Sequence, residues 1–230
     1  MRHSRADILK TMKKLIILLF VVTSSYSQTS KNVKYPIVEL GVSEWMVENL
    51  KVIKFNNGDP IKFAKTDAEW KKCSEQKTPA YCYSNEKCIG CEKEILYNYY
   101  VLIDKRGILP TGFDFPKDSD FVALDQEFSL NPEKVKSFNF KPSGGRDMKK
   151  GYDYFSGSET FWFMDSNYLD FLSDEPPMGL SYGISSRDFN NKCPNSFPLT
   201  CEGKWNNFET YYSTGGSKAG NGMSIRLVKK

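Results

Sequence analysis

Histidine is almost absent from this chain, whose single histidine is His3. His3 lies in a segment that is predicted below to be removed from the mature protein. Without an imidazole, the mature chain cannot use a Ser-His-Asp or Cys-His mechanism, and it cannot build a zinc site that contains histidine. Catalysis by a pair of carboxylates stays open, because it requires only two acidic residues at a suitable separation.

Long apolar runs are absent as well. The longest run covers residues 15–22, whereas a membrane-spanning helix needs about 20 residues. Lys13 and Lys14 precede this run, and the small residues Ser25 and Ser27 follow it. A basic start, a short apolar core and small residues at the cut are typical of a secretory signal peptide. The sequence therefore predicts an exported protein, secreted or periplasmic, that is cleaved near Ser27 and has no membrane span in its mature part.

The mature chain also lacks an excess of charge. The full chain has 32 basic and 28 acidic residues, and residues 1–27 hold five of the basic ones and one of the acidic ones. Removal of this segment brings the net charge close to zero. A nucleic-acid-binding protein needs a surplus of Lys and Arg that face phosphates, so nucleic acid is not expected as a partner.

No linker rich in Pro, Gly or Ser divides the mature chain. We therefore predict a signal peptide over residues 1–27, a polar lead-in over residues 28–34 and a single domain over residues 35–230. Within the signal peptide, Met12 stands directly before the lysine pair and makes a more ordinary start than Met1.

Cysteine, in contrast, is well represented in the mature part. The six cysteines are Cys73, Cys82, Cys88, Cys91, Cys193 and Cys201. An even number in an exported chain predicts disulfides, with Cys193 paired to Cys201 and the other four paired among themselves. The alternative is a zinc site made of the first four thiolates, or a redox pair at Cys88 and Cys91, but a second pair with zinc-ligand spacing is missing.

Local patterns predict a mixed α+β domain with many loops. The clearest helix begins near residue 118, because Phe121, Leu124 and Phe128 recur at helical spacing. Thr66 or Asp67 is expected to cap a short helix. Residues 96–102 fit either a helix or a buried strand.

The last part of the chain carries two further signals. Residues 213–222 contain four glycines and are expected to form a loop. Residues 223–227 alternate apolar and polar side chains, which predicts a half-buried final strand. Large aromatic residues dominate burial, so we expect Trp45 and Trp162 in the core.

Six segments follow one another along the chain in a recognisable order: Trp-Met-Val-Glu-Asn-Leu at 45–50, Asn-Gly-Asp-Pro-Ile at 57–61, Leu-Tyr-Asn-Tyr-Tyr at 96–100, a Pro-Thr-Gly-Phe run with a following helix at 110–124, Gly-Gly-Arg at 144–146 with Gly157 and Trp162 after it, and Ser-Ile-Arg-Leu-Val-Lys at 224–229. Together they resemble the Fibrobacter succinogenes major paralogous domain family of exported bacterial proteins, over about residues 37–230.

Two of these segments, the helix that follows Pro116 and the last strand with Arg226, are also distantly similar to the formylglycine-generating-enzyme and C-type-lectin-like folds. That resemblance implies a C-type-lectin-like α+β fold with a small twisted antiparallel sheet, about two helices and long loops that carry the ligand site. Leu109 and Leu227 stand where members of the family often carry cysteine, so a disulfide common in the family is expected to be missing here.

Lectin-like calcium binding is the sharpest alternative that the resemblance suggests. Calcium prefers hard oxygen ligands, and Glu175, Asn206, Asn207 and Glu209 could supply some. The decisive asparagine and aspartate of the lectin motifs are replaced by Pro177 and Asn207, so we prefer a proline loop and a packed tryptophan. No cofactor or metal is expected.

Aromatic residues near the end of the chain are the other candidates for a ligand site. Trp205, Tyr211 and Tyr212 lie in the loop-rich region, where exposed rings can form a platform for a sugar or a peptide. The preferred hypothesis is an exported, non-catalytic domain that binds a surface polysaccharide or protein. The alternative is an enzyme that uses carboxylates, or a copper site of the formylglycine-generating type at Cys193 and Cys201.

Overall fold

The computed structural model describes residues 35–84, 93–139, 141, 143–149, 151–154, 158–164, 178–186 and 208–230, and only the backbone for 152–154, 158–160, 178, 180, 182–186 and 208–217. All of these residues belong to the unit Tyr35–Lys230. The predicted signal peptide and lead-in lie outside the described residues.

The helices and strands of this unit alternate along the chain. The α-helices are α1 (Asp67–Glu75), α2 (Asp118–Leu130) and α3 (Val135–Phe138), and 3-10 turns cover Tyr99–Val101 and Pro132–Lys134. The strands are β1 (Ile37–Leu40), β2 (Ser43–Met46), β3 (Lys62–Phe63), β4 (Ala80–Tyr83), β5 (Ile95–Tyr97), β6 (Phe113–Asp114), β7 (Gly145–Asp147), β8 (Gly151–Tyr154), β9 (Ser158–Phe163), β10 (Met178–Ser186), β11 (Phe208–Lys218), β12 (Ser224–Ile225) and β13 (Val228–Lys229).

These strands form several small sheets. One has the order β1-β2-β13-β6, a second β11-β10-β9-β12, a third β3-β4-β5, and β7 pairs with β8. Most neighbours are antiparallel, but β3 runs parallel to β4 and β12 runs parallel to β9. The mixed α+β class is confirmed, with three short helices and several sheets among the described residues where the sequence predicted about two helices and one antiparallel sheet.

Local sequence explains both longer helices. The Thr66 side chain accepts a hydrogen bond from the Glu69 N–H, and the Glu69 carboxylate accepts from the Thr66 N–H, which completes the capping box of α1. In α2, the buried residues are Phe121, Leu124 and Phe128. Both predicted helices are present, because each depends on contacts within a few turns of chain. The sequence favours Asp118 or Ser119 as the cap of α2, and this expectation is wrong, since the N-cap is Lys117.

The turn at residues 56–59 is held by an arginine from a second turn. The Arg106 guanidinium lies 3.8 Å from the centre of the Phe55 ring and donates to Asp104 through Nε and Nη2, at 2.8 Å each, and to Asp59 through Nη1 at 3.3 Å. Hydrogen bonds from Arg106 lower the pKa of the Asp104 carboxyl. The pKa of Asp59 is lowered by Asn57 first and Arg106 second.

Two predictions for the end of the chain are wrong. Residues 213–218 continue β11 instead of forming a loop, because they pair with β10. The register passes from Gly179–Ser217 to Ser181–Ser213, so residues 214–216, which include two of the four glycines, form an irregularity within the strand. The final strand is split into β12 and β13, and residues 223–228 are buried without alternation, since other strands or core residues cover both faces.

Three apolar clusters make up the described core. The largest lies around Tyr97 and Trp162, the second around Trp45 and α2, and the third between α1 and β4. Trp45 and Trp162 are both fully buried, which confirms their predicted core positions. Residues 96–102 divide between β5 and a 3-10 turn, so neither single alternative describes them.

Candidate functional site

Most of the residues predicted to bind a ligand lie outside the part of the chain that the structure describes. Four of the six lie outside the described residues: Glu175, Trp205, Asn206 and Asn207. Tyr211 and Tyr212 lie in β11, where their backbones pair with Gly183 and Tyr182 of β10. Their expected place in a loop-rich region is therefore corrected to a strand. A ligand site lined by these six residues stays a prediction.

Most of the cysteines also lie outside the described residues. Cys88, Cys91, Cys193 and Cys201 lie outside the described residues, and their pairing stays a prediction. Cys73 of α1 and Cys82 of β4 are buried in the third apolar cluster, and neither is joined in a disulfide in this structure. Burial raises the pKa of the Cys73 thiol. Since a metal ligand must be a thiolate, this burial disfavours Cys73 as a zinc ligand.

A buried arginine near the end of the chain connects three distant segments. Arg226 is 0 % exposed, and its Nε donates to Asn49 Oδ1 at 2.8 Å. Nη1 donates to the Phe138 carbonyl, and Nη2 donates to the Asn139 carbonyl at 3.4 Å. The guanidinium also lies 4.2 Å from the centre of the Phe138 ring and 5.3 Å from that of Phe161. Two residues of the recognised segments, Asn49 and Arg226, thus meet in the interior.

The contacts of Asn49 continue to a buried carboxylate. Asn49 Nδ2 donates to Glu94 Oε2 at 3.1 Å, and Glu94 is 4 % exposed. The ammonium groups of Lys51 and Lys141 each lie 3.4 Å from Glu94 Oε1, and Lys141 also pairs with Glu48. We call this set, with Arg226, the Arg226–Glu94 network. The lysines and glutamates of this network pair with one another, and the Arg226 guanidinium donates to amide and carbonyl oxygens. Such partners are how buried charges are accommodated in a folded core.

A second buried arginine follows the Gly-Gly pair of the fifth recognised segment. Arg146 in β7 is 0 % exposed, lies 5.0 Å from the centre of the Trp70 ring and donates from Nη2 to Asp67 Oδ1 at 2.5 Å. A Cβ added at Gly222 would lie 2.9 Å from Trp70 and 3.2 Å from Arg146. Only glycine fits here, so the arginine, the tryptophan and the chain near Gly222 pack as one unit.

One group of aromatic side chains is open to solvent. Phe63 of β3 stacks on Tyr81 of β4, with ring centres 5.1 Å apart and planes at 25°. Tyr83 contacts both rings edge-on, at 5.5 Å from Phe63 and 6.0 Å from Tyr81. Phe63 is 37 % exposed and Tyr83 is 39 % exposed, whereas Tyr81 is buried at 7 %. We call these three rings the aromatic face.

The aromatic face was not among the residues predicted from sequence. Its signal is the alternation Tyr-Cys-Tyr at 81–83, which places Tyr81 and Tyr83 on one side of a strand and Cys82 on the other. Phe63 joins them only because β3 pairs with β4 in parallel, with Phe63 opposite Tyr81. A pairing of that kind is not readable from either segment alone.

No group of three or more His, Cys, Asp or Glu side chains that could hold a metal ion occurs among the residues described. Within that part of the chain, no helix is both long and apolar enough to cross a membrane.

The family-model comparison concerns the first half of the folded unit. The model of the Fibrobacter succinogenes major domain matches residues 38–137. The chain carries a Fibrobacter succinogenes major domain. Neither a curated protein nor a solved structure matches the chain.

The match separates the Arg226–Glu94 network into two parts. Glu48, Asn49 and Glu94 lie inside the matched range of the Fibrobacter succinogenes major domain, whereas Lys141 and Arg226 follow it. The resemblance was expected to run to the end of the chain, and the match stops at residue 137. Side-chain contacts nevertheless bind the following segments to the major domain, since Lys141 pairs with its buried Glu94 carboxylate and Arg226 donates to its buried Asn49 amide.

Proposed function

We propose that this chain is an exported, non-catalytic domain that binds a polysaccharide or a protein at a surface. The observation that carries the proposal is a division of roles among the described side chains. Two arginines of the recognised segments, Arg226 and Arg146, are wholly buried and hold other segments in place. Two aromatic side chains of the β3-β4-β5 sheet, Phe63 and Tyr83, in contrast reach the solvent.

This division supports binding because an enzyme needs acid, base or nucleophilic groups that a substrate can reach. Glu94 is buried and surrounded by Asn49, Lys51 and Lys141, which supports a part in folding rather than in proton transfer. Exposed aromatic surface with polar neighbours is, in turn, typical of binding sites.

The finer parts of the proposal come from the sequence. We include export through the signal peptide, a secreted or periplasmic location, disulfides involving Cys193 and Cys201, and a C-type-lectin-like arrangement with ligand-binding loops. Expression of the full chain in a bacterial host with an intact export pathway tests the first of these. Amino-terminal sequencing of the exported protein should give Gln28, and a retained residue 1 or 12 in exported material would contradict it.

Binding is tested with the exported protein itself. A glycan array and a pull-down from surface proteins should give at least one saturable ligand, with or without EDTA, because no metal is part of the proposal. Absence of ligand in both assays would refute binding. Turnover of an arrayed glycan or captured protein, detected by mass spectrometry, would instead favour the carboxylate-based enzyme.

A further inference from the structure

We infer that the aromatic face (Phe63, Tyr81 and Tyr83) is a stacking site for neutral pyranose units of a polysaccharide. The inference rests on the proposed binding function and specifies both its ligand and its place. The place differs from the Trp205 and Tyr211–Tyr212 region to which the sequence points.

The exposure of these rings is not required by the packing of their strand. The other side of β4 carries Ala80 and Cys82, which are buried with Trp70 and Cys73 of α1 in the third apolar cluster. Strand β4 therefore has a buried side, and Tyr83 lies on its opposite side. Tyr81 continues into the largest cluster beside Ile95 and Tyr97, so the face is anchored at one end and open at the other.

The arrangement of the rings fits a flat ligand. Phe63 stacks on the buried Tyr81 with the two planes at 25°, so the surface open to a ligand is the exposed part of the Phe63 ring. Tyr83 stands nearly perpendicular to Tyr81, at 89°, and is exposed beside it. Such contacts fix the orientation of all three rings before any ligand binds, which lowers the entropy cost of binding. The π face of an aromatic ring carries partial negative charge, and the C–H groups on one face of a pyranose carry partial positive charge, so the two surfaces attract.

Charge favours a neutral sugar over an acidic one. Lys62 precedes Phe63, but alternation along β3 directs it to the other side, where its charge acts on Glu69 and Cys73 of α1. The exposed side chain of the face that carries a polar group is Tyr83, whose hydroxyl donates and accepts hydrogen bonds. A hydroxyl-rich, uncharged ligand matches this group.

Size favours a sugar over a folded protein. A stable protein interface buries about 800 Å² on each partner, whereas two rings that are each less than half exposed offer far less. The other large exposed apolar residues of the described part lie on different elements, such as Val42 in the β1–β2 turn and Leu130 at the end of α2. A face of this size accommodates one or two sugar rings.

Affinity electrophoresis of the exported protein tests the inference, with gels that contain hydroxyethyl cellulose, laminarin, galactomannan or, as the acidic comparison, polygalacturonate. At least one neutral polysaccharide should retard the protein. The double variant Phe63→Leu/Tyr83→Leu keeps apolar side chains but removes the rings, and should weaken that binding at least about tenfold. The matched control Val42→Ser/Leu130→Ser removes two exposed apolar residues elsewhere, and Phe63→Tyr keeps a ring; both should bind within about threefold of the parent.

A second measurement uses the unaltered protein and does not depend on the folding of a variant. Tetranitromethane modifies exposed tyrosines, and saturating polysaccharide should protect Tyr83, as read by peptide mass spectrometry. The stacking site would be overturned if the protein binds a polysaccharide, Tyr83 is still fully modified in its presence, and Phe63→Leu/Tyr83→Leu binds as tightly as the parent. That result would leave the proposed binding function intact. Retention by polygalacturonate alone, or no retention by any polysaccharide, would also overturn it. Saturable capture of a surface protein in the pull-down would then still support the proposed function.

Discussion

Replacement of Arg226 with methionine should destabilise the folded protein strongly, although it keeps an apolar stem of similar length. The guanidinium satisfies Asn49 Oδ1 and the carbonyl oxygens of Phe138 and Asn139, and Asn49 is only 3 % exposed. After the substitution Asn49 Oδ1 and the Phe138 carbonyl stay buried, the Asn139 carbonyl stays partly buried, and all three lose a charged donor. The ring of Phe138, 4.2 Å away, loses its cation as well.

The magnitude follows from those contacts. An unsatisfied buried polar group costs about 1–3 kcal/mol. Three acceptors lose their donor here, and relaxation of the neighbouring backbone recovers part of their summed free-energy cost. We therefore expect a loss of about 3–5 kcal/mol, comparable to breaking one side of a buried ion pair. The conservative variant Arg226→Lys keeps the charge but cannot reach all three acceptors, and should lose about half as much, roughly 2 kcal/mol.

Urea unfolding, followed by tryptophan fluorescence, measures these losses. The matched control is Arg106→Met, because Arg106 also lies over a phenylalanine ring but has a side chain that is 33 % exposed. Its carboxylate partners regain water, so this change should cost below about 1 kcal/mol. A loss under about 1 kcal/mol for Arg226→Met, or equal losses at both arginines, would refute the assignment of Arg226 as the connecting residue of the core.

Three further changes have defined outcomes. Gly41→Ala should cost about 2 kcal/mol or more of folding free energy, since φ is +62° and the new Cβ would lie 2.9 Å from the α2 backbone. Gly58→Ala, at φ +92° in open space, should cost about 1 kcal/mol. Equal shifts of the two variants in thermal unfolding would contradict the close packing at Gly41. Because the pKa of Asp104 is lowered in the folded protein, its ionised form stabilises the fold at pH values above the unfolded-state pKa of about 3.9. This contribution is lost as pH falls through the folded-state pKa. The stability deficit of Arg106→Gln should therefore shrink below about pH 4. A deficit independent of pH would contradict that ion pair. Burial raises the pKa of Cys73, so iodoacetamide should label it at least about tenfold more slowly in the folded, reduced protein than in urea, and equal rates by mass spectrometry would contradict its burial.

Features that depend on neighbouring residues were predictable from the chain alone. The capping box of Thr66 and Glu69 spans three residues, and the buried side of α2 is a helical repeat, so local rules identify both. The recognised Trp-Met-Val-Glu-Asn-Leu segment at 45–50 led to the family before any fold was known, and the family match confirms it. The order of basic, apolar and small residues over 13–27 led to the expectation of export, and the near-absence of histidine and the family resemblance led to that of binding; both stay proposals.

Features that depend on chain pairing were not predictable in this way. The glycines near residue 215 favour a loop by local rules, but pairing with β10 supplies backbone hydrogen bonds that a loop would lack. Arg226 lies 177 residues from Asn49 in sequence, and nothing near either residue indicates the other. The same holds for the aromatic face, because Phe63 and Tyr81 come together through a parallel register.

The sequence by itself therefore determined the family of the domain, its mixed α+β class, the start of its main helices and the lack of imidazole chemistry in its predicted mature part. These follow from residue type and short-range spacing. Only the tertiary structure decided that the recognised arginines are buried, and that rings from two separate strands share one exposed face. The physical reason is that burial and cross-strand contact are properties of the packed chain, set by which distant segments exclude water from each other.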